Sequence, residues 1–452
     1  MGVKLIQLEF NELCPSLLKQ FMDKGLLPNF TKLYEKSAVY TTDAGEEDQN
    51  LEPWIQWVTV HSGLPYSEHE IFHLGGGRQL DRKLVAEVLS DAGVKVGIMS
   101  SMNTNYEKLN GYMVPDPWDK LASAYPEELN VFYKFVSSKV QDASRESKDF
   151  DASARNFLSF LFKNGLSFKT ILKIIKQVLS EKIDKGLSWR RASVLDHIQY
   201  DVFRKLNKKY DVEFATFFCN SVAHYQHYYW RNMQPELFTV PPEKTDHASY
   251  DTAIQYGYRS LDDLVGRVMS DYPNAVLIFT TALSQKPWVE STKRTYRPKS
   301  FESFVDAIGI NKSEIEIKPV MAQQFHIDCS SESVKDQIVK ILEGMTLDGE
   351  RVMSVNVNGN SIFTGCRLEK REVTTKNIKF SHTDKEIPFS ELFYMIHSVR
   401  SGRHHPDGAL WIKDGRHSEA KNKVPLMSIA PTVLSYFKIQ KPEYMKANEL
   451  NF

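Results

Sequence analysis

The sequence is poor in several things at once, and each shortage removes a class of protein. Only four cysteines, Cys14, Cys219, Cys329 and Cys366, occur in 452 residues, far apart and without C-x-x-C spacing. That pattern argues against a disulfide scaffold or a zinc-thiolate cluster and fits a cytoplasmic protein with free thiols. No apolar run approaches the roughly 18 to 20 residues of a membrane span. The opening "MGVKLIQLEFNEL" is a short apolar run broken by Gln7 and Glu9, with no signal-peptide cleavage site and no Ser or Thr at position six for myristoylation. Net charge is missing too: Lys plus Arg and Asp plus Glu number 57 each, so no overall field draws the chain to nucleic acid. There is no long repeat and no low-complexity tract.

What remains is an ordinary folded chain, long enough for a large core with inserted subdomains. "VKLIQLEF", "VKVGIMSS", "DVEFATFFCNS" and "NAVLIFTTA" read as strands buried on both faces. "CPSLLKQFMDKG", "KLVAEVLSDAG" and "SLDDLVGRVMSDY" read as helices, the first two stopped by glycine. This alternation predicts an α/β fold, a mostly parallel central sheet with helices on both faces. Functional residues in such sheets gather at the carboxyl ends of strands, where Glu9, Asn220 and Thr281 fall.

Two stretches interrupt the alternation. Residues 119–205 are nearly all helical, and residues 291–370 read as a small α+β insertion, leaving 1–118, 206–290 and 371–452 as the three parts of the core. Within the helical insertion, the 155–183 segment is apolar on one face and lysine-rich on the other. It either packs over the core or makes peripheral contact with a membrane or partner.

The stretch "LEPWIQWVTVHSG", residues 51–63, has the outline of a nucleophile-bearing helix, yet no Ser, Thr or Cys stands at its start. Together with "KGLLPNFTKLYEKS", "WVTVHSGLPYSEHEIF", "VAHYQHYYW", "RHHPDGALWI" and "SIAPTVLSYFKIQKPEYMKANEL", in that order along the chain, it resembles the alkaline phosphatase superfamily, in particular the type I phosphodiesterase and nucleotide pyrophosphatase branch. The resemblance implies that fold. It also implies two divalent metals held by aspartates and histidines around a Thr, Ser or Cys nucleophile at a helix N-terminus. Position by position, His227 and His404 match ligand histidines. Ala223 stands in place of an aspartate, and Thr281 and Ala282 in place of an Asp-His pair. Glu9 or Asn11 takes the place of the first aspartate, and Pro53 falls on the nucleophile.

With most of the metal set replaced, three readings stay open. The first is a hydrolase or transferase with a rebuilt, metal-free acid/base pocket, cleaving a glycosidic-type linkage of a saccharide substrate. It needs no cofactor. Its catalytic groups are Glu9, Glu52, His227 and His404, with Glu12, Trp54, Trp57, Asn220, Trp230, Arg400, Arg403, His405 and Asp407 around the substrate. The arginines leave an anionic sugar open. The second is a phosphodiesterase or phosphatase with one divalent ion, Zn or Mn, on His227 and His404 and a neighbour such as Asn220. The third is a non-catalytic relative that binds a ligand or partner. Against these stand plainer roles: Glu52 as a helix N-terminal carboxylate, Trp54 and Trp57 as core, His61 and His224 on helix faces without a function.

Overall fold

The computed structural model describes residues 2–47, 50–104, 106, 108–119, 121–141, 150–244, 246–291, 294–319, 324–383, 385–397 and 400–451. The first strand, β1 (Leu5–Phe10), is buried along its whole length and is a central strand of the main sheet. It pairs in parallel with β5 (Phe214–Cys219) on one side and β6 (Val276–Thr280) on the other. Beyond β5 lie β3 (Val96–Met99) and β4 (Gly111–Val114), also parallel. Beyond β6 the strand Asp407–Lys413 runs antiparallel to both β6 and β2 (Ser37–Asp43), and two short strands, Ser418–Glu419 and Val424–Pro425, complete nine. This is the mostly parallel sheet the alternation predicts.

Strand parity divides the core into two layers. Ile6, Leu8 and Phe10 point into one cluster with α1 (Pro15–Asp23) and α2 (Pro28–Tyr34), while Leu5 packs in a second with α3 (Pro53–Ser62) and the helix Ile429–Tyr436. Helix α3 starts on a proline whose missing N–H costs nothing at that position, and it stops at Gly63, which takes φ 67°. Every residue of α3 except Trp54 is buried, so this helix is enclosed rather than amphipathic.

The helical insertion comprises Asn130–Gln141, Phe150–Lys163, Phe168–Ile183 and Arg191–Lys209; its residues 142–149 lie outside the described ones. Phe132, Phe157, Leu161 and Phe203 join the same cluster as β1. The α+β insertion has a core of its own from Tyr296 to Phe393, past the expected end at 370, because Ile378, Phe380 and Ile387 belong to it. All four cysteines are buried free thiols. No described helix is long and apolar enough to cross a membrane.

Candidate functional site

Past Phe10 the chain turns sharply at the ends of β5 and β6. The Asn11 N–H donates to the Cys219 carbonyl (2.9 Å) and the Glu12 N–H to the Thr281 carbonyl (3.2 Å). Glu12 takes φ 58°, a left-handed conformation that costs an ordinary residue on the order of 1–2 kcal/mol. Its surroundings enforce it: Gln226 Nε2 donates to the Glu12 carbonyl (2.7 Å), and Gln226 Oε1 accepts from the Cys14 N–H (3.2 Å) and the Tyr258 hydroxyl (2.6 Å).

The strained turn aims the Glu12 carboxylate into a cluster of fixed donors. Oε1 accepts from Asn11 Nδ2 (2.9 Å) and Oε2 from Gln285 Nε2 (2.6 Å). The same Oε2 lies 3.1 Å from His227 Nε2 and 3.2 Å from His404 Nε2. Asn11 is itself oriented, since its Oδ1 accepts from Trp57 Nε1 (2.8 Å) and its Nδ2 also reaches Asn220 Oδ1 (2.8 Å). Burial alone would push the Glu12 carboxyl up, but His404 and His227 together hold it well below the usual carboxylate range.

Each imidazole is placed by a different element. His227 lies on the helix Ser221–Met233, and its Nδ1 donates to the Gly402 carbonyl (3.1 Å), which can only accept. Gly402 permits this approach, because a Cβ there would sit 2.3 Å from Gln285 Oε1 and 2.6 Å from the Gln226 carbonyl oxygen. His404 follows on the strand Gly402–His405, opposite Gln285 of β7 (Ser284–Pro287). Its Nδ1 is 3.6 Å from Glu52 Oε2. Burial depresses both rings; the carboxylates of Glu12 and Glu52 reverse this for His404, which ends raised, whereas His227 stays lowered.

These groups border a small cavity of about 110 Å³ lined also by Glu52, Trp54, Asn220 and Arg400. Glu52 immediately precedes α3, and burial raises its carboxyl with Glu12 adding to the effect, against His404 and Arg400. Arg400 Nε is buried with no hydrogen-bond partner among the described residues. Among the described residues, no serine, threonine or cysteine lines the cavity. A second cavity of about 410 Å³, walled by Trp118, Val136, Leu195 and Phe218, shares Asn220 and His224 with the first.

The structure therefore brings Glu12, Glu52, Trp54, Asn220, His227, Arg400 and His404 together and leaves other expected residues out. Glu9 is corrected by strand parity: it lies on the same face as Leu5 and Gln7, accepts from Gln7 Nε2 (2.8 Å) and faces His61 Nε2 of α3 at 3.1 Å, inside the core. The Glu9–His61 contact has ion-pair distance without hydrogen-bond alignment. Trp57 is buried against Phe218 and orients Asn11 instead of meeting a substrate. Trp230 is interior, its Nε1 donating to Gln234 (2.8 Å). Arg403 and His405 flank His404 on a strand and so point away from it; Arg403 is exposed, and His405 Nδ1 accepts from the Asp407 N–H (3.2 Å). Asp407 pairs with Lys423 at 2.6 Å. Gln285 and Gln226 carry no sequence signal beyond being polar residues in apolar surroundings, and Tyr228, Gln324 and His224 also line the cavity.

No protein-family model and no curated protein sequence matches the chain. Among solved structures it is similar to wild-type alkaline phosphatase PafA, with 12% identity and a TM-score of 0.44 over 100% of this chain and 98% of that one. It is similar to murine ectonucleotide pyrophosphatase/phosphodiesterase 5, with 8% identity and a TM-score of 0.41 over 97% and 96%. A multiply substituted PafA variant gives 13% and 0.43 over 99% and 98%. The likeness runs from end to end, and the chemistry of this site rests on its own residues.

The motif resemblance implies divalent metals, and the residues present fit them only in part. A two-ion centre does not fit: Ala223, Thr281 and Ala282 supply no ligand, and Glu12, His227 and His404 form the one group of three or more such donors among the described residues. A single ion does fit. The three donor atoms lie within 4.8 Å of one another, and a carboxylate with two imidazoles is a catalytic zinc ligand set. The N···O separations of 3.1 and 3.2 Å match the roughly 3.3 Å edge of a tetrahedron with 2.0 Å bonds. The Gly402 carbonyl fixes the His227 tautomer with the Nε2 lone pair facing Glu12 Oε2. Only a proton or a cation belongs between two such atoms.

Proposed function

We propose that this protein is a phosphoester hydrolase that uses one divalent cation, Zn or Mn, on Glu12, His227 and His404. The observation that carries the reading is the convergence of those three donor atoms at a cavity with an unpartnered arginine N–H. Glu12 supplies the ligand that Ala223 cannot, reached from β1 instead of from the helix.

When bound, the cation would act as a Lewis acid toward a phosphoryl oxygen. The chain supplies the rest. Arg400 Nε and the N-terminal ends of α3 and of the helix Ser221–Met233 favour an anion in the cavity. With no serine, threonine or cysteine among the described residues lining that cavity, water attacks phosphorus as the bond to the ester oxygen breaks, and that oxygen departs as an alcohol after taking a proton from solvent. Glu52, the cavity's second carboxyl, takes the proton from that water; Glu12 cannot, because each of its oxygens is already engaged. The cavity of about 410 Å³ next door has the volume for an organic ester group, which favours a diester or a bulky monoester.

A second reading keeps the ion out and uses Glu52 with Glu12 as an acid/base pair on a glycosidic-type linkage; Trp54 at the cavity edge supports it. The unpartnered Arg400 N–H favours the phosphoester. Hydrolysis of bis-p-nitrophenyl phosphate and p-nitrophenyl glycosides, before and after chelation and on re-adding Zn²⁺ or Mn²⁺, separates the two. Phosphoester turnover that is lost with the chelator and restored by the ion is the expected result. Glycoside turnover indifferent to chelator would replace it with the second reading, and ion or ligand binding without any turnover would make the protein non-catalytic.

A further inference from the structure

The helical insertion carries a surface that the cavity chemistry does not use. On the helix Phe168–Ile183 the side chains of Phe168, Leu172, Ile175, Leu179 and Ile183 recur at spacings of three and four and share one face. That face is turned outward: their exposures are 72, 50, 48, 54 and 89%. The residues this helix buries are polar, Thr170 and Gln177, the latter donating to the Leu187 carbonyl at 2.8 Å. An amphipathic helix packed on its own protein would be oriented the other way round. Leu158 and Phe162 on the preceding helix, exposed by 50 and 66%, extend the apolar surface.

Charge identifies the occupant. Between residues 155 and 185 the chain has seven basic residues and two acidic ones, although the whole chain is balanced. Both acids are engaged with the protein, Glu181 by Arg191 and Asp184 by His247. At 100° per residue, Lys169 and Lys176 lie along one edge of the apolar stripe and Lys182 along the other. Long cationic stems flanking an apolar stripe suit a plane that is apolar within and anionic at its surface. A second copy would set lysine edge against lysine edge. The helix has sixteen residues with lysines along it, so it lies on a bilayer and does not cross it.

We propose that this face docks the protein onto an anionic lipid bilayer, with the Phe168–Ile183 helix in the plane of the interface. The test is co-sedimentation of the full chain with vesicles of phosphatidylcholine alone or mixed with phosphatidylserine. Two double variants accompany it, Leu172→Gln with Leu179→Gln, and Lys169→Glu with Lys176→Glu, each checked for native circular dichroism. The full chain is expected on the phosphatidylserine vesicles, released by salt, with partitioning at least about tenfold weaker for either variant and on phosphatidylcholine alone. No partitioning onto phosphatidylserine vesicles, or equal partitioning by the full chain and both variants, overturns the proposal. So does a dimer in sedimentation velocity that the Leu172/Leu179 variant dissolves, which would assign the face to a second copy.

Discussion

Glu12 Oε2 lies 3.1 Å from His227 Nε2, and the other nitrogen of that ring is committed to the Gly402 carbonyl. Two lone-pair atoms are thereby held face to face by backbone geometry. Glu12→Gln removes the anion, and His227→Ala removes an imidazole. Each is expected to lower bound Zn²⁺ or Mn²⁺ from about one ion per chain to near none, and to lower phosphodiester turnover by at least about 100-fold. Metal content by mass spectrometry checks this on protein with native circular dichroism; a variant that keeps its ion removes Glu12 or His227 from the ligand set.

Glu52→Gln should separate binding from turnover. The side chain lines the cavity but is no member of the donor group, so the ion stays while kcat falls by roughly 10²–10⁴-fold. Metal content and kcat measured on one preparation decide it, and an unchanged kcat would reject Glu52 as the proton acceptor.

Glu9→Gln is the matching control. Its carboxyl packs against His61 and Gln7 inside the core, so kcat should stay within about threefold of wild type while thermal stability changes by on the order of 1–3 kcal/mol. A loss of turnover comparable to that of Glu52→Gln, with stability unchanged, would place Glu9 in the chemistry after all.

Trp57→Phe tests the layer behind the ligand. It keeps most of the buried ring and deletes the Nε1–H that holds Asn11. Outer-layer hydrogen bonds of this kind affect metal affinity by about 10–100-fold, so Zn²⁺ affinity by calorimetry should weaken in that range with the fold intact. Equal affinity would make the Trp57–Asn11–Glu12 chain structural only.

The fold was legible because its signals are local: fully apolar strands, Pro53 at a helix start, Gly63 at its stop. Part of the site was legible as well, since His227, His404 and Glu52 sit in motifs with defined position. Glu9 and Glu12 differ in strand parity and in one strained φ, and neither appears in composition. Glu9 is the carboxylate at the strand end, but the side chain that reaches the cavity is three residues later, past the sheet. Trp57 and Trp230 have the residue type of a substrate platform; only the three-dimensional packing of α3 and the Ser221–Met233 helix shows them enclosed.

Asp196 gives a pH signature independent of the ion. Buried, it is pushed up to about 7, with the Ser221 hydroxyl opposing. A carboxyl whose folded value exceeds its unfolded value of 3.8 stabilises the fold at low pH, and that contribution is lost as pH rises from about 4 to about 7. Asp196→Asn should therefore gain unfolding free energy relative to wild type across that window, by on the order of a few kcal/mol at neutral pH, read from denaturant titrations at several pH values. Asp116, also raised to about 7 by burial, leaves a residual slope. A wild-type minus variant difference that does not change with pH would show Asp196 ionised in the fold at all of these values.

The most direct test is anomalous diffraction from crystals grown with Zn²⁺. The expected result is a single strong peak between Glu12 Oε2, His227 Nε2 and His404 Nε2, at roughly 2.0–2.2 Å from each. No peak there, or a pair of peaks with one beside Thr281 and Ala282, would contradict the one-ion site.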